Sequence, residues 1–208
     1  MISIDQICGE KKNCHNRALE YTLELAVEIA REGREGRRIG TIFVVADEAE
    51  VLRRSRPLIL DPLAGHPREA RRICDPNLRE TIKELAQLDG AFVVGGDGVV
   101  RSAARHLNAS ADGVELPLGL GSRHMAGASI SRDTDAVALV VSQSGMVRVF
   151  NHGVLAAEIL PEMWMFSRRS IKIQGPHRES TVADLRIVAR EAGWSARFPA
   201  QGRKDGIC

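Results

Sequence analysis

Three short segments of this 208-residue chain carry no charged residue, are apolar apart from Thr41, and are rich in β-branched residues: Thr41–Ala46, Ala91–Val94 and Ala136–Val141. A strand with no polar face is one covered on both sides, so these segments belong in the middle of a sheet that has helices above and below it. Two of them sit in hairpin patterns. Ala91–Val94 is followed by the turn Gly95-Gly96-Asp97-Gly98 and a second run, Val99–Leu107; Ala136–Val141 is followed by a Gln143–Gly145 turn and Met146–Phe150. Other strands are linked only through helices. Asn16–Arg34 carries Leu19, Leu23, Ala26, Val27 and Ala30 at helical spacing, and Asp75-Pro76-Asn77 opens a helix with Leu78, Ile82, Leu85 and Leu88 on one stripe that runs to Asp89-Gly90. Hairpins together with helical crossovers predict a mixed α/β sheet.

The rest of the chain is less regular. The first 15 residues read as an arm or short helix, and the polar stretch from Arg53 to Pro62 as an irregular crossover. A small-residue helix is expected from Gly119-Leu120-Gly121-Ser122 to about Ser131, and one more over Thr181–Ala192. The predicted organisation is an arm (1–15), one domain (16–160) and a C-terminal extension (161–208) packed on it.

Composition removes several function classes. Basic and acidic residues nearly balance, 29 against 27. The arginines at 53, 54, 56, 68, 71 and 72 therefore read as solvated faces, and no nucleic-acid partner is expected. Aromatics make up only 4% of the chain, too few for base-stacking platforms. No apolar run nears the roughly 20 residues that span a bilayer. Neither a membrane partner nor a secretory signal is expected, and the predicted location is cytoplasmic. Cys8, Cys14, Cys74 and Cys208 are scattered without a paired spacing, and separate reduced thiols are expected.

Two segments carry chemistry. Leu88-Asp89-Gly90-Ala91 places a carboxylate at the mouth of a buried strand, where its oxygens suit a divalent cation. A glycine there leaves room for close approach to the backbone. Gly119-Leu120-Gly121-Ser122-Arg123-His124 opens a helix whose free N–H groups and dipole suit phosphate. Ser122 adds a hydroxyl and Arg123 a forked cation; His124 offers a donor to phosphate or a metal ligand. Neither segment is a Walker loop, and no Gly-x-Gly-x-x-Gly follows the first strand.

Asp89-Gly90-Ala91 followed by Gly121-Ser122-Arg123-His124, with the flanks LDGAFVV, LPLGLGSRHMAGASIS and DTDAVALVVSQSG, resembles the diadenylate cyclase family of DisA-type nucleotide-binding domains. The likeness runs from about residue 17 to about 155 and is nearest to short archaeal members. It implies a twisted mixed sheet flanked by helices on both faces. It also implies a reaction in which two ATP condense to cyclic di-AMP and two pyrophosphates between face-to-face protomers, in a homodimer or higher homo-oligomer.

Carried onto this chain, the resemblance makes Asp89 the catalytic carboxylate, acting with Mg²⁺ or Mn²⁺, and has Gly90 and Ala91 line the nucleotide pocket. Leu120, Gly121, Ser122, Arg123, His124 and Ser142 would contact ATP, and His124 would join Asp89 at the metal. The family's Arg-His-Arg motif here ends in Met125, and Ser122 stands in place of Thr. An apolar residue at 125 is expected to shape the helix or an interface. The alternative reading is a catalytically weak or inactive module that senses ATP or the cyclic dinucleotide.

Overall fold

A computed structural model describes residues 14–110 and 112–162 in full, together with the backbone of two strands, His177–Val182 and Leu185–Arg190. The chain divides into two compact units, Met1–Phe166 and Ser167–Cys208. Most of the predicted arm and of the C-terminal extension lies outside the described residues.

The first unit holds a seven-stranded sheet. In chain order its elements are α1 (Asn16–Glu32), β1 (Thr41–Val45), α2 (Glu48–Arg53), β2 (Ser55–Pro57), α3 (Pro76–Leu85), β3 (Ala91–Val94), β4 (Val100–Leu107), α4 (Ser122–Asp133), β5 (Val137–Val141), β6 (Val147–Asn151) and β7 (Val154–Ile159). The strand order is β2-β4-β3-β1-β5-β6-β7. Only β1 and β3 run parallel, with Phe43 opposite Phe92; β1 pairs antiparallel with β5 on its other side. The three uncharged segments are thus the three adjacent central strands, and every residue of β1, β3 and β5 is buried.

Strand alternation divides the core in two. Phe43, Val45, Phe92, Val94, Leu139 and Val141 meet α1 and α3 on one face. Ile42, Val44, Ala91, Val93, Ala138 and Val140 meet α4 and Val51 of α2 on the other. The Phe43 and Phe92 rings stack with centroids 5.1 Å apart. Each such Val, Leu, Ile or Phe side chain contributes about 1.5–3 kcal/mol on burial, so the central strands anchor the unit. Helix α4 has no apolar stripe and instead packs closely through small residues. A Cβ added at Gly127 would lie 2.6 Å from Val140 Cγ2, which brings the helix backbone down onto β5.

Three local expectations are corrected. Helix α3 stops at Leu85 rather than Asp89, because Gln87 and Leu88 donate to the carbonyls three residues back and tighten the chain. This turns Leu88 out to solvent. The expected irregular crossover starts at the last residue of α2 and contains the edge strand β2, three residues paired with Leu107, His106 and Arg105 of β4. Finally, the expected helix over Thr181–Ala192 is a strand pair. His177–Val182 (β8) and Leu185–Arg190 (β9) form an antiparallel hairpin, in which the β-branched Thr181, Val182, Ile187 and Val188 follow their strand preference.

Three of the arginines in the basic runs are matched by acids. Arg53 and Arg54 both pair with Glu50, and Arg68 pairs with Asp97. Cys14 is disulfide-bonded, which corrects the expectation of separate thiols; Cys74 is a free, exposed thiol.

Candidate active site

The site forms at the end of the sheet where β1 and β3 begin and β4 ends. Asp89 lies two residues before the start of β3, and its side chain is 80% exposed. Gly90 follows with φ +110°, a left-handed conformation that an L side chain resists. The demand for glycine is also steric. The register of β3 against β4 shifts near Ala91, and Ala104 of β4 takes φ +51°. This brings the β4 backbone so close that a Cβ on Gly90 would lie 2.7 Å from the Ala104 carbonyl carbon. The space beside Gly90 is thus filled by the neighbouring strand, and the glycine serves to set the direction in which Asp89 leaves the sheet.

Helix α4 supplies the opposite wall. Gly121 is its N-cap, in extended conformation, with no side chain capping the helix end. The N–H groups of His124 and Met125 donate to Gly121 O, so Ser122 and Arg123 start the helix ahead of its first internal hydrogen bonds. Arg123 reaches back across the strand ends, its Nη1 passing 3.4 Å from where a Gly40 Cβ would stand. Its Nη2 donates to Asp89 Oδ1 at 3.2 Å. The two sequence segments therefore meet, although 34 residues separate them.

Between them lies a cavity of about 340 Å³. Gly90 and Ala91 line it at the strand end, and Ile42, Leu58, Leu107, Met125 and Ala126 give it an apolar wall. Asp89, Ser122 and Arg123 form the polar side with Arg105 and His106, neither of which was singled out in the sequence. Arg105 is tied down: its Nε donates to Ser55 Oγ at 3.1 Å, and its Nη2 to the carbonyls of Leu52 and Ser55. Met125, where the resembling family has arginine, belongs to the apolar wall. Two guanidinium groups against one carboxylate give the cavity a net positive lining suited to an anion.

Not every expected residue joins it. Leu120 and Gly121 lie on the approach to α4 and do not line the cavity. Ser142 opens the β5–β6 turn, donating its N–H to Met146 O while its Oγ accepts from the Ser144 N–H. His124 is buried, with Nε2 3.1 Å from Arg148 Nη1 and its ring edge-on to Phe150. Burial above all, and then the Arg148 and Arg123 cations, hold its imidazole below the usual histidine range, with Glu158 opposing. An imidazole nitrogen facing a guanidinium does not fit a cation.

Among the described residues no group of three or more His, Cys, Asp or Glu side chains could hold a metal. The donor set instead fits a hard divalent cation bound by the single open carboxylate of Asp89 together with oxygens of a ligand, the usual manner of Mg²⁺ at phosphates. A larger cavity, about 710 Å³, lies by the β3–β4 turn and is lined by His15, Tyr21, Arg72 and Asp97 among others. It exceeds the first in size but contains no open carboxylate facing a helix entrance, because Asp97 is already paired with Arg68 and Arg101. No helix among the described residues is long and apolar enough to cross a membrane.

Comparison with known proteins follows the same lines. The family model for DisA bacterial checkpoint controller nucleotide-binding domains (DAC) matches residues 28–155, from α1 into β7. A diadenylate cyclase of Methanocaldococcus jannaschii is 51% identical over 146 residues, 70% of this chain and 46% of that protein. A diadenylate cyclase of Haloferax volcanii is 43% identical over 142 residues, 68% of this chain and 52% of the relative. The chain thus spans about half the length of the curated relatives it matches. Among solved structures, a hypothetical membrane spanning protein from Bacillus cereus aligns over 66% of this chain and 61% of its own, with a TM-score of 0.50 at 21% identity, a likeness of fold. A double mutant of DacA from Staphylococcus aureus aligns over 73% of this chain and 93% of its own, at TM-score 0.47 and 22% identity. With more than half its length inside the family model, and the Asp89 and Arg123 segments both within that match, this chain belongs to the DAC family of DisA-type nucleotide-binding domains.

Proposed function

We propose that this protein is a diadenylate cyclase, joining two ATP molecules into cyclic di-AMP with release of two pyrophosphates. The observation that carries the reading is the Asp89–Arg123 pair, an exposed carboxylate and a helix-borne guanidinium 3.2 Å apart on one cavity. The cavity volume, about 340 Å³, falls in the range of small-molecule sites, and its apolar wall offers a surface for a purine.

The chemistry asks for in-line placement and charge neutralisation. Ser122, the first N–H groups of α4 and Arg123 would bind the triphosphate, drawing Arg123 away from Asp89. The freed carboxylate would take up the proton of a ribose 3′-hydroxyl as that oxygen attacks the α-phosphorus of a second ATP and pyrophosphate leaves. A bound Mg²⁺ or Mn²⁺, held by Asp89 and phosphate oxygens, would supply further neutralisation of the developing charge. Ser142, Leu120 and Gly121 would contribute only if the turns carrying them close over the bound nucleotide.

One protomer has one such cavity and one Asp89, whereas two phosphodiester bonds must form. Two protomers meeting face to face, each presenting its ATP to the other, satisfy that requirement, and such a site makes rate depend on dimer formation. ATP as substrate puts the reaction in the cytoplasm. Purified protein supplied with ATP and Mn²⁺ should yield cyclic di-AMP by mass spectrometry, with the rate per protomer rising with protein concentration. Met125 in the apolar wall, where the family motif carries a cation, favours one second reading: a module that binds ATP or the cyclic product without turnover. Tight ATP binding with no product at any protein concentration would select it.

A further inference from the structure

The first turn of α4 has to be held in place by something other than its own residues. It has no capping side chain, and its helix has no apolar stripe. Ser122 is exposed, and Arg123 and Met125 are half-buried; within that turn only His124 is buried. Its imidazole lies against Phe150 and faces Arg148, both on β6. Arg148 is itself largely enclosed, its Nε 2.6 Å from Glu158 Oε1 on β7 and its Nη2 3.6 Å from Met146 Sδ. Arg148 and Glu158 are directly opposed in the β6–β7 register, so two strands fix the guanidinium.

Hydrogen-bond chemistry settles the state of the ring. A guanidinium has donors and no acceptor, so in the 3.1 Å contact Arg148 Nη1 donates and His124 Nε2 accepts. Nε2 therefore carries no proton, and the ring's single N–H is at Nδ1, which is buried without a hydrogen-bond partner. We infer that Arg148 is a positioning residue for the proposed reaction. It clamps His124 as a neutral, Nδ1-protonated imidazole and thereby fixes the helix turn from which Arg123 reaches Asp89. The inference rests on the cyclase reading only for its kinetic consequence. The charged groups facing His124 are Arg148 from β6, Glu158 from β7 and Arg123 from its own helix, two cations against one carboxylate. That balance keeps a second proton off the ring.

Ring ¹⁵N NMR of the full chain, with His124 assigned by its loss in His124→Gln, tests the clamp independently of activity. Expected in the wild type are a protonated Nδ1, a bare Nε2, and a titration displaced below that of an ordinary histidine. In Arg148→Met the ring should titrate at a higher pH than in the wild type, with burial still holding it below an ordinary histidine. The kcat of that variant should fall about tenfold, with the KM for ATP within about twofold, because Arg123 is misplaced for the transition state while its contact to the triphosphate is kept. Arg148→Lys, which restores a cationic donor, should recover part of the loss. Should Arg148→Met not fold, Glu158→Gln, which loosens the guanidinium from β7, should lower kcat about threefold with KM unchanged. An Nε2-protonated His124 in the wild type overturns the clamp, as does unchanged kcat in Arg148→Met. Absence of product from the wild type sinks the cyclase reading and the kinetic role together. Product alongside the wrong tautomer sinks the clamp alone.

Discussion

Arg123 Nη2 lies 3.2 Å from Asp89 Oδ1, and the pair is open to water, with the two side chains 38% and 80% exposed. An exposed ion pair of this kind contributes little to folding, generally under about 1 kcal/mol. Its juxtaposition is therefore better explained by what it can bind than by what it stabilises. A triphosphate at the α4 entrance would compete for Arg123 and release the carboxylate.

Arg123→Ala should lower cyclic di-AMP formation by on the order of 10²–10³, the usual consequence of removing one preorganised donor from a charged transition state. Arg123→Lys should recover only part, since a point charge does not reproduce the two-pronged guanidinium. Because the Asp89 pair adds little stability, urea midpoints of both variants should stay near wild type. A large drop in midpoint would instead make Arg123 a structural residue.

Gly90→Ala should destabilise the protein by about 1–3 kcal/mol, read from urea unfolding at constant m-value. The added Cβ meets Ala104 at 2.7 Å of backbone, and φ +110° is unfavourable besides. Whatever folds should carry a displaced Asp89 and turn over slowly. A variant of unchanged stability would contradict the close β3–β4 approach.

At the other end of the sheet, Asp97 accepts from Arg101 and Arg68 and from the Val99 N–H. Burial alone would raise its carboxyl, but these donors hold it below the ordinary 3.8. A carboxyl depressed in the folded state stabilises it above the unfolded pKa, and that stability is lost as pH falls through the folded value. Asp97→Asn should therefore cost about 1 kcal/mol at pH 7 and progressively less below pH 4. A difference between variant and wild type that persists undiminished at pH 2 would rule this out.

What the residues disclosed in advance was local. The central strands β1, β3 and β5 were legible because burial on both faces leaves them apolar apart from Thr41. Asp89 and Ser122-Arg123 were legible because each stands at a junction marked by glycine. Strand β2 was hidden, since three residues with Pro57 on an edge carry no alternation that could be read. Gly90 lines the cavity as its place in the motif suggests, but the demand for glycine also comes from Ala104, 14 positions away and displaced by a bulge that nothing in its own sequence announces. His124 was assigned outward because the motif surrounds it with ligand-binding residues. Its true partner, Arg148, lies on a strand that reaches it only through the packing of α4 on β6.

The most direct measurement is mass-spectrometric quantification of cyclic di-AMP from ATP and Mn²⁺ by the wild type and by Asp89→Asn, with ATP affinity measured on both. The account predicts product from the wild type, a loss on the order of 10²–10³ or more in the variant, and ATP binding retained by both. Equal product from Asp89→Asn, or none from the wild type over a wide range of protein concentrations, would contradict it.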